Sequence, residues 1–135
     1  MLRFTVPLVL ALAVVCLAAP KDEIKNKGAE AAKKCYQKLS IPEDSDIFQR
    51  VFAFGNIDGS DELIKKFIAC VHHNFGWVNE AGDYDRQKII DFFTEAYGEE
   101  KTIKTADTCL PAQGATPEEK AFNLYQCSFR TRGNM

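Results

Sequence analysis

The chain has 135 residues, enough for one domain. Seventeen Lys and Arg stand against nineteen Asp and Glu, a formal charge of -2, which excludes the basic footprint of a nucleic-acid binder and polybasic attachment to anionic membranes. With 46% hydrophobic and 27% charged residues the composition is globular and excludes a disordered chain.

Residues 1–20, MLRFTVPLVLALAVVCLAAP, read as a secretory signal peptide: Arg3 is the positive start, Val6 to Leu17 the apolar stretch, and Cys16-Leu17-Ala18 the small-x-small end. The run is short for a membrane span and the charged KDEIKNKG follows at once. Cleavage is expected after Ala18, with Ala19 the competing site, which makes residues 1–18 the leader and 19–135 one helical domain of net charge -3. The expected product is exported into extracellular fluid without stable membrane insertion. Cys16 leaves with the leader, so Cys35, Cys70, Cys109 and Cys127 remain. Four cysteines in a small secreted chain read as two disulfides, with three pairings open. There is no Asn-x-Ser/Thr acceptor, so no N-glycan is expected.

Helical periodicity dominates from here on, and strand signals are nearly lacking. The first predicted helix spans Asp22–Leu39, with Ile24, Ala31, Cys35 and Leu39 on one stripe and Ser40-Ile41-Pro42 ending it. The second spans Asp44–Phe54, with Ile47, Phe48, Val51, Phe52 and Phe54 apolar, broken by Gly55 and Asp58-Gly59. The third starts at Ser60 as N-cap and repeats Leu63, Phe67, Cys70, Val71 and Phe75 until Gly76. After the turn Glu80–Asp83 the fourth spans Tyr84–Tyr97, burying Ile89, Ile90, Phe93 and Tyr97, with Gly98 as its C′ residue. A weaker fifth covers Thr102–Thr108. A loop with Pro111 and Gly114 leads to Thr116-Pro117-Glu118-Glu119, a capping box that opens a sixth helix reaching Arg130, with Ala121, Phe122, Leu124, Tyr125 and Phe129 apolar. The predicted fold is all-α, a compact six-helix disulfide-linked domain whose small core leans on its crosslinks.

No catalytic constellation emerges. Gly-x-Ser-x-Gly, phosphate-loop and His-Glu-x-x-His patterns are missing, and oxidised cysteines offer no thiolate. His72 and His73 point about 100° apart on a helix, which disfavours a shared metal. They read as solvated or half-buried side chains, with a pH-sensitive hinge as the functional alternative. Asp58, Asp61 and Glu62 read as a cap cluster and lack the calcium-loop pattern. Catalytic residues, metals and cofactors are therefore none.

Aromatic side chains are the remaining signal. Outside the leader there are nine Phe, four Tyr and Trp77, many on inward helix faces. Any one of these reads first as core. Together, on short bent helices that cannot all pack ridge into groove, they suit a space for an apolar small molecule.

Thirty-four residues separate Cys35 from Cys70, thirty-eight separate Cys70 from Cys109, and seventeen separate Cys109 from Cys127. With the stretches FIACVHHNFGWVNEAGDYD and EEKAFNLYQC, this spacing resembles the insect pheromone/odorant-binding protein family. The usual family pattern has two further cysteines, which would fall on Lys66 and Glu118, so the chain looks like the minus-C, four-cysteine subgroup. The resemblance covers residues 22–131. It implies the pairs Cys35–Cys70 and Cys109–Cys127, a six-helix odorant-binding-protein-like fold enclosing an apolar cavity, and a soluble carrier of odorants, pheromones or other semiochemicals in a sensillar-lymph or haemolymph type of fluid. A chemoreceptor is the further partner it implies, with the carrier a monomer or weak homodimer. Lys66 and Glu118 offer opposite charges for an ion pair where the lost bridge would be.

The residues expected to line the cavity are Phe54, Ile68, Val71, Phe75, Trp77, Ile89, Phe93, Tyr97, Leu110, Phe122 and Tyr125, with the Tyr97 or Tyr125 hydroxyl as polar anchor. The rival reading is a secreted membrane-active or lipid-interacting helical protein of saposin/defence type. Its usual cationic charge is not present. A signalling bundle would need longer helices, and only the first predicted helix approaches that length.

Overall fold

The computed structural model describes residues 23–54 and 57–133. The leader read at residues 1–18 lies outside the described residues. Helix α1 covers 23–38 and turns Ala31, Ala32 and Cys35 inward, with its lysines outside. It closes in a Schellman motif. Ser40 takes the left-handed conformation (φ 55), its N–H donates to the Gln37 carbonyl, and Ile41 N–H donates to the Tyr36 carbonyl. Pro42 follows where the helix can no longer continue.

The single helix expected over 44–54 is instead a three-residue turn, α2 (Ile47–Gln49), running into a π-helical stretch, Arg50–Phe54. The Tyr36 hydroxyl holds this segment against α1, donating to the Ser45 carbonyl and accepting from Phe48 N–H. The wider turn buries Val51 and leaves its carbonyl to accept from the Tyr125 hydroxyl.

Helix α3 (Glu62–Asn74) is capped by Asp61, not Ser60: the Asp61 carboxylate accepts from Leu63 and Ile64 N–H. Ser60 N–H instead donates to Asp58. The buried residues are Ile64, Phe67, Ile68, Cys70, Val71 and His72, so Phe67, Cys70 and Val71 of the expected stripe turn inward while Leu63 is 40% exposed. After Gly76 (φ 77) a short loop folds back, with a lone bridge between Val78 and Tyr84. Helix α4 (Arg86–Tyr97) begins at Asp85, whose carboxylate accepts from Lys88 N–H.

Gly98 forms the corner between α4 and α5 (Glu99–Cys109). Its φ of 86 and ψ of 155 lie where essentially only glycine goes, so two helices meet without a linker. Helix α5 begins earlier than Thr102 because Glu99 and Glu100 suit a helix N-terminus. Helix α6 (Pro117–Gly133) opens with Thr116 Oγ1 accepting from Glu119 N–H, while the Glu119 carboxylate accepts from Ala115 N–H, one residue before the expected box partner.

Helix α6 packs against both α3 and α5, and α4 packs on α5. Two apolar clusters result. One gathers α1, Val51, Ile64, Phe67, Ile68, Val71, Phe122 and Tyr125; the other gathers Trp77, Ile89, Cys109 and Leu124 with Phe75, Phe92, Phe93 and Leu110. Disulfide Cys35–Cys70 ties α1 to α3, and Cys109–Cys127 ties the end of α5 to α6. Closing loops of 35 and 18 residues, they contribute roughly 4 and 3 kcal/mol in the chain-entropy model. Among the described residues no ion pair joins Lys66 to Glu118; the lysine that bridges elements is Lys120, 3.9 Å from Asp83.

Candidate functional site

The two clusters do not close on each other. A chamber of about 240 Å³ lies between them, and a smaller one of about 140 Å³ adjoins it on the side of the second cluster. Ile89, Phe93, Tyr97, Leu124, Ser128 and Arg132 border both and form their common wall. The larger chamber is walled by α3 through Ile68, Val71, His72 and Phe75, by Trp77, by α4 through Phe92, and by α6 through Tyr125 and Phe129; Ile24, Val51 and Phe52 complete it. The smaller lies toward α5, against Lys101, Thr102, Thr105, Ala106 and Leu110. A groove between α1 and residues 40–49 is larger, about 730 Å³, but open, with Lys33, Gln37, Glu43 and Gln49 on its sides.

An aromatic chain fixes the wall. Phe75, Trp77, Phe92 and Phe93 meet at centroid distances of 4.8 to 5.2 Å, edge-on or tilted. Trp77 is placed by its own N–H, which donates to the His72 carbonyl, and by Asp85 N–H, which donates back to the Trp77 carbonyl. The bend after α3 thus swings the indole under α4. Rings locked this way keep a shape that a collapsing aliphatic wall would not.

Of the residues expected to line a cavity, Ile68, Val71, Phe75, Trp77, Ile89, Phe93, Tyr97 and Tyr125 border the larger chamber. Leu110 borders the smaller. Phe122 lies elsewhere: a Cβ on Gly59 would be 2.9 Å from its ring, and Lys65 Nζ is 6.0 Å from its centroid, so it packs between the 57–60 loop and α3. The Phe54 side chain lies outside the described residues. Tyr97 was expected to be buried and is 42% exposed, at the rim. The Tyr125 hydroxyl donates to Val51, so its proton is committed to the backbone, and burial holds its phenol above the ordinary tyrosine range.

Sequence reasoning missed Phe92, Leu124, Ser128, Phe129 and Arg132. It also misplaced His72, which is not solvated. It falls on the buried stripe of α3, one turn beyond Ile68, with Nδ1 2.6 Å from the Tyr84 hydroxyl and its ring 5.1 Å from the Trp77 ring. Burial pushes its pKa down from 6.5 to about 3, so the imidazole is neutral and Nδ1 can accept the phenol proton. Burial also raises the Tyr84 phenol, which keeps that proton in place. His73, the next residue, is exposed. Among the described residues no three His, Cys, Asp or Glu side chains gather as a metal site. No helix among them is long and apolar enough to cross a membrane.

The profile of the PBP/GOBP family matches residues 18–131, most of the 135-residue chain. The chain belongs to the PBP/GOBP family. A PBP/GOBP chain is a small-ligand binding protein, and the family is not one of enzymes. The fold agrees with a solved structure, the fatty acid binding protein OBP56a from the oral disk of the blowfly Phormia regina. That structure matches with a TM-score of 0.67 at 18% identity, over 84% of this chain and 95% of the other. At that identity the likeness concerns the fold, and the PBP/GOBP fold is what sets the chambers between α3, α4, α5 and α6.

Proposed function

We propose that this PBP/GOBP protein is a secreted carrier of small hydrophobic molecules, of the odorant, pheromone or semiochemical kind, held in the adjoining chambers without chemistry. The observation that supports it is the ring-walled space between two otherwise packed clusters. Ile68, Val71, Phe75, Trp77, Ile89, Phe93, Tyr97, Leu110 and Tyr125 are the binding residues, joined by Phe92, Leu124 and Phe129. Residues 1–18 serve as the export signal, and the carrier works in extracellular fluid, where its two disulfides persist. Lys66 and Glu118 in place of cysteines favour the minus-C subgroup. A chemoreceptor is a downstream partner in this reading.

The driving force is transfer of apolar surface out of water, about 25 cal/mol per Å² buried. Few directed polar contacts predict broad selectivity and roughly micromolar affinity for guests of ordinary ligand efficiency. Displacement of an uncharged naphthylamine dye by a series of volatile alcohols and esters tests this. Saturable one-to-one binding at micromolar levels is expected. Absence of dye binding, or leakage of liposomes at the same concentrations, overturns it.

A further inference from the structure

On the walls that belong to the larger chamber alone, the polar side-chain atoms sit on His72, Trp77 and Tyr125. The Tyr125 hydroxyl is spent on the Val51 carbonyl. Trp77 also borders a hollow open to the outside. His72 is different. Its Nδ1 is engaged by the Tyr84 hydroxyl at 2.6 Å, and its Nε2 has no protein partner among the described residues. Yet Thr102 Oγ1 is the one side-chain nitrogen or oxygen among them that is both fully buried and unpaired. Nε2 therefore touches free space, and the free space beside His72 is the larger chamber.

The ring is held in that direction. Tyr84 is set by its lone bridge to Val78. The ring centres of Trp77 and Tyr84 lie 5.1 and 5.6 Å from that of His72. The His72 carbonyl accepts from Trp77 N–H, which fixes the backbone beneath it.

A neutral imidazole holds one N–H and one lone pair. Among the described residues the Tyr84 hydroxyl has no acceptor other than Nδ1. Its donation there uses the lone pair, so the imidazole proton sits on Nε2. The opposite tautomer would leave the phenol hydrogen unpaired. The larger chamber is thus oily apart from one aimed N–H. A carbonyl oxygen accepts from it and brings no hydrogen of its own. A hydroxyl that accepts from it leaves its own hydrogen facing hydrocarbon, and an ammonium has no lone pair to offer.

We infer that His72 is a specificity-determining donor aimed by Tyr84, and that the larger chamber prefers a neutral guest with a carbonyl oxygen (a ketone, aldehyde or ester) over the matching alcohol. This rests on the carrier reading and adds one directed contact to it.

The test compares methyl heptyl ketone with its secondary alcohol as competitors of the uncharged dye at pH 7.5. Wild type is expected to favour the ketone about threefold to tenfold. The bound ketone, isotope-labelled at its carbonyl so that the stretch clears the amide band, should absorb at lower frequency than in hexane. His72→Phe should abolish both the preference and the shift. His72→Gln, which keeps an N–H donor, should restore part of each. Tyr84→Phe frees Nδ1 and should narrow the preference. In wild type, long-range proton–nitrogen NMR should place the ring proton on Nε2. A proton on Nδ1, an alcohol that binds as well as the ketone, or a carbonyl stretch unchanged in His72→Phe overturns the His72 assignment while the carrier stands. Failure of both competitors to displace the dye overturns the carrier reading itself.

Discussion

The buried His72 makes acid stability a sharp test of the structure. Solvated imidazole titrates at 6.5, and burial lowers His72 to about 3. The unfolded chain therefore binds a proton that the folded one refuses. The folded form has its full advantage above pH 6.5 and loses it as pH falls from there toward 3. Each pH unit inside that window costs about 1.4 kcal/mol, up to roughly 4–5 kcal/mol in all. Against a typical stability of about 5–15 kcal/mol that is a large share. His72→Gln removes the titration, and its amide can still meet the Tyr84 hydroxyl. Urea unfolding at pH 7.5, 6, 5 and 4 should show the wild type losing stability faster than His72→Gln throughout. Carboxylates common to both chains cancel in the comparison. Parallel curves would refute the claim that the His72 ring is sealed and neutral.

Other outcomes follow from the same geometry. Cys109→Ser with Cys127→Ser opens an 18-residue loop and should cost about 3 kcal/mol in urea unfolding. Gly98→Ala forces a side chain onto φ 86, ψ 155, and the corner between α4 and α5 should lose about 1–3 kcal/mol, seen as a lower Tm. Asp61→Ala removes the cap of α3 and should cost about 1 kcal/mol by the same melt. Ser128→Phe places a ring in the wall shared by both chambers. Dye affinity should fall more than tenfold with little change in Tm, and undiminished affinity would mean the dye binds elsewhere.

Gly98 at the corner and Thr116-Pro117 at the start of α6 were legible because they are written in local chemistry, whereas α4 starts at its Asp85 cap and not at Tyr84, and α5 starts at Glu99 and not at Thr102. The second helix was not legible, because the Tyr36 hydroxyl and the Tyr125–Val51 bond come from distant segments, and the segment is a short α-turn at Ile47–Gln49 running into a π-helical stretch at Arg50–Phe54. Asp61 displaced Ser60 as cap because Ser60 is drawn back into the turn begun by Asp58.

The chamber walls were legible where a helix has one apolar face, as in α3. Helix α6 was harder. It is apolar at Ala121, Phe122, Leu124, Tyr125 and Phe129 because it is flanked by α3 and α5, so periodicity could not say which residues meet the space. Phe122 and Leu124, two positions apart, point to different clusters. Arg132 follows the last apolar residue and reads as tail; only the three rings around it show its place.

The chain contains one tryptophan, and Trp77, 5% exposed, forms part of the larger chamber. Its emission reports directly on whether that space admits a molecule. Titration with a brominated ten-carbon alcohol, whose heavy atom quenches only at contact, should extinguish most Trp77 fluorescence in a saturable one-to-one curve. Its unbrominated twin should compete. Emission that stays unchanged, or that declines linearly without saturation, would mean the rings meet one another and no guest enters.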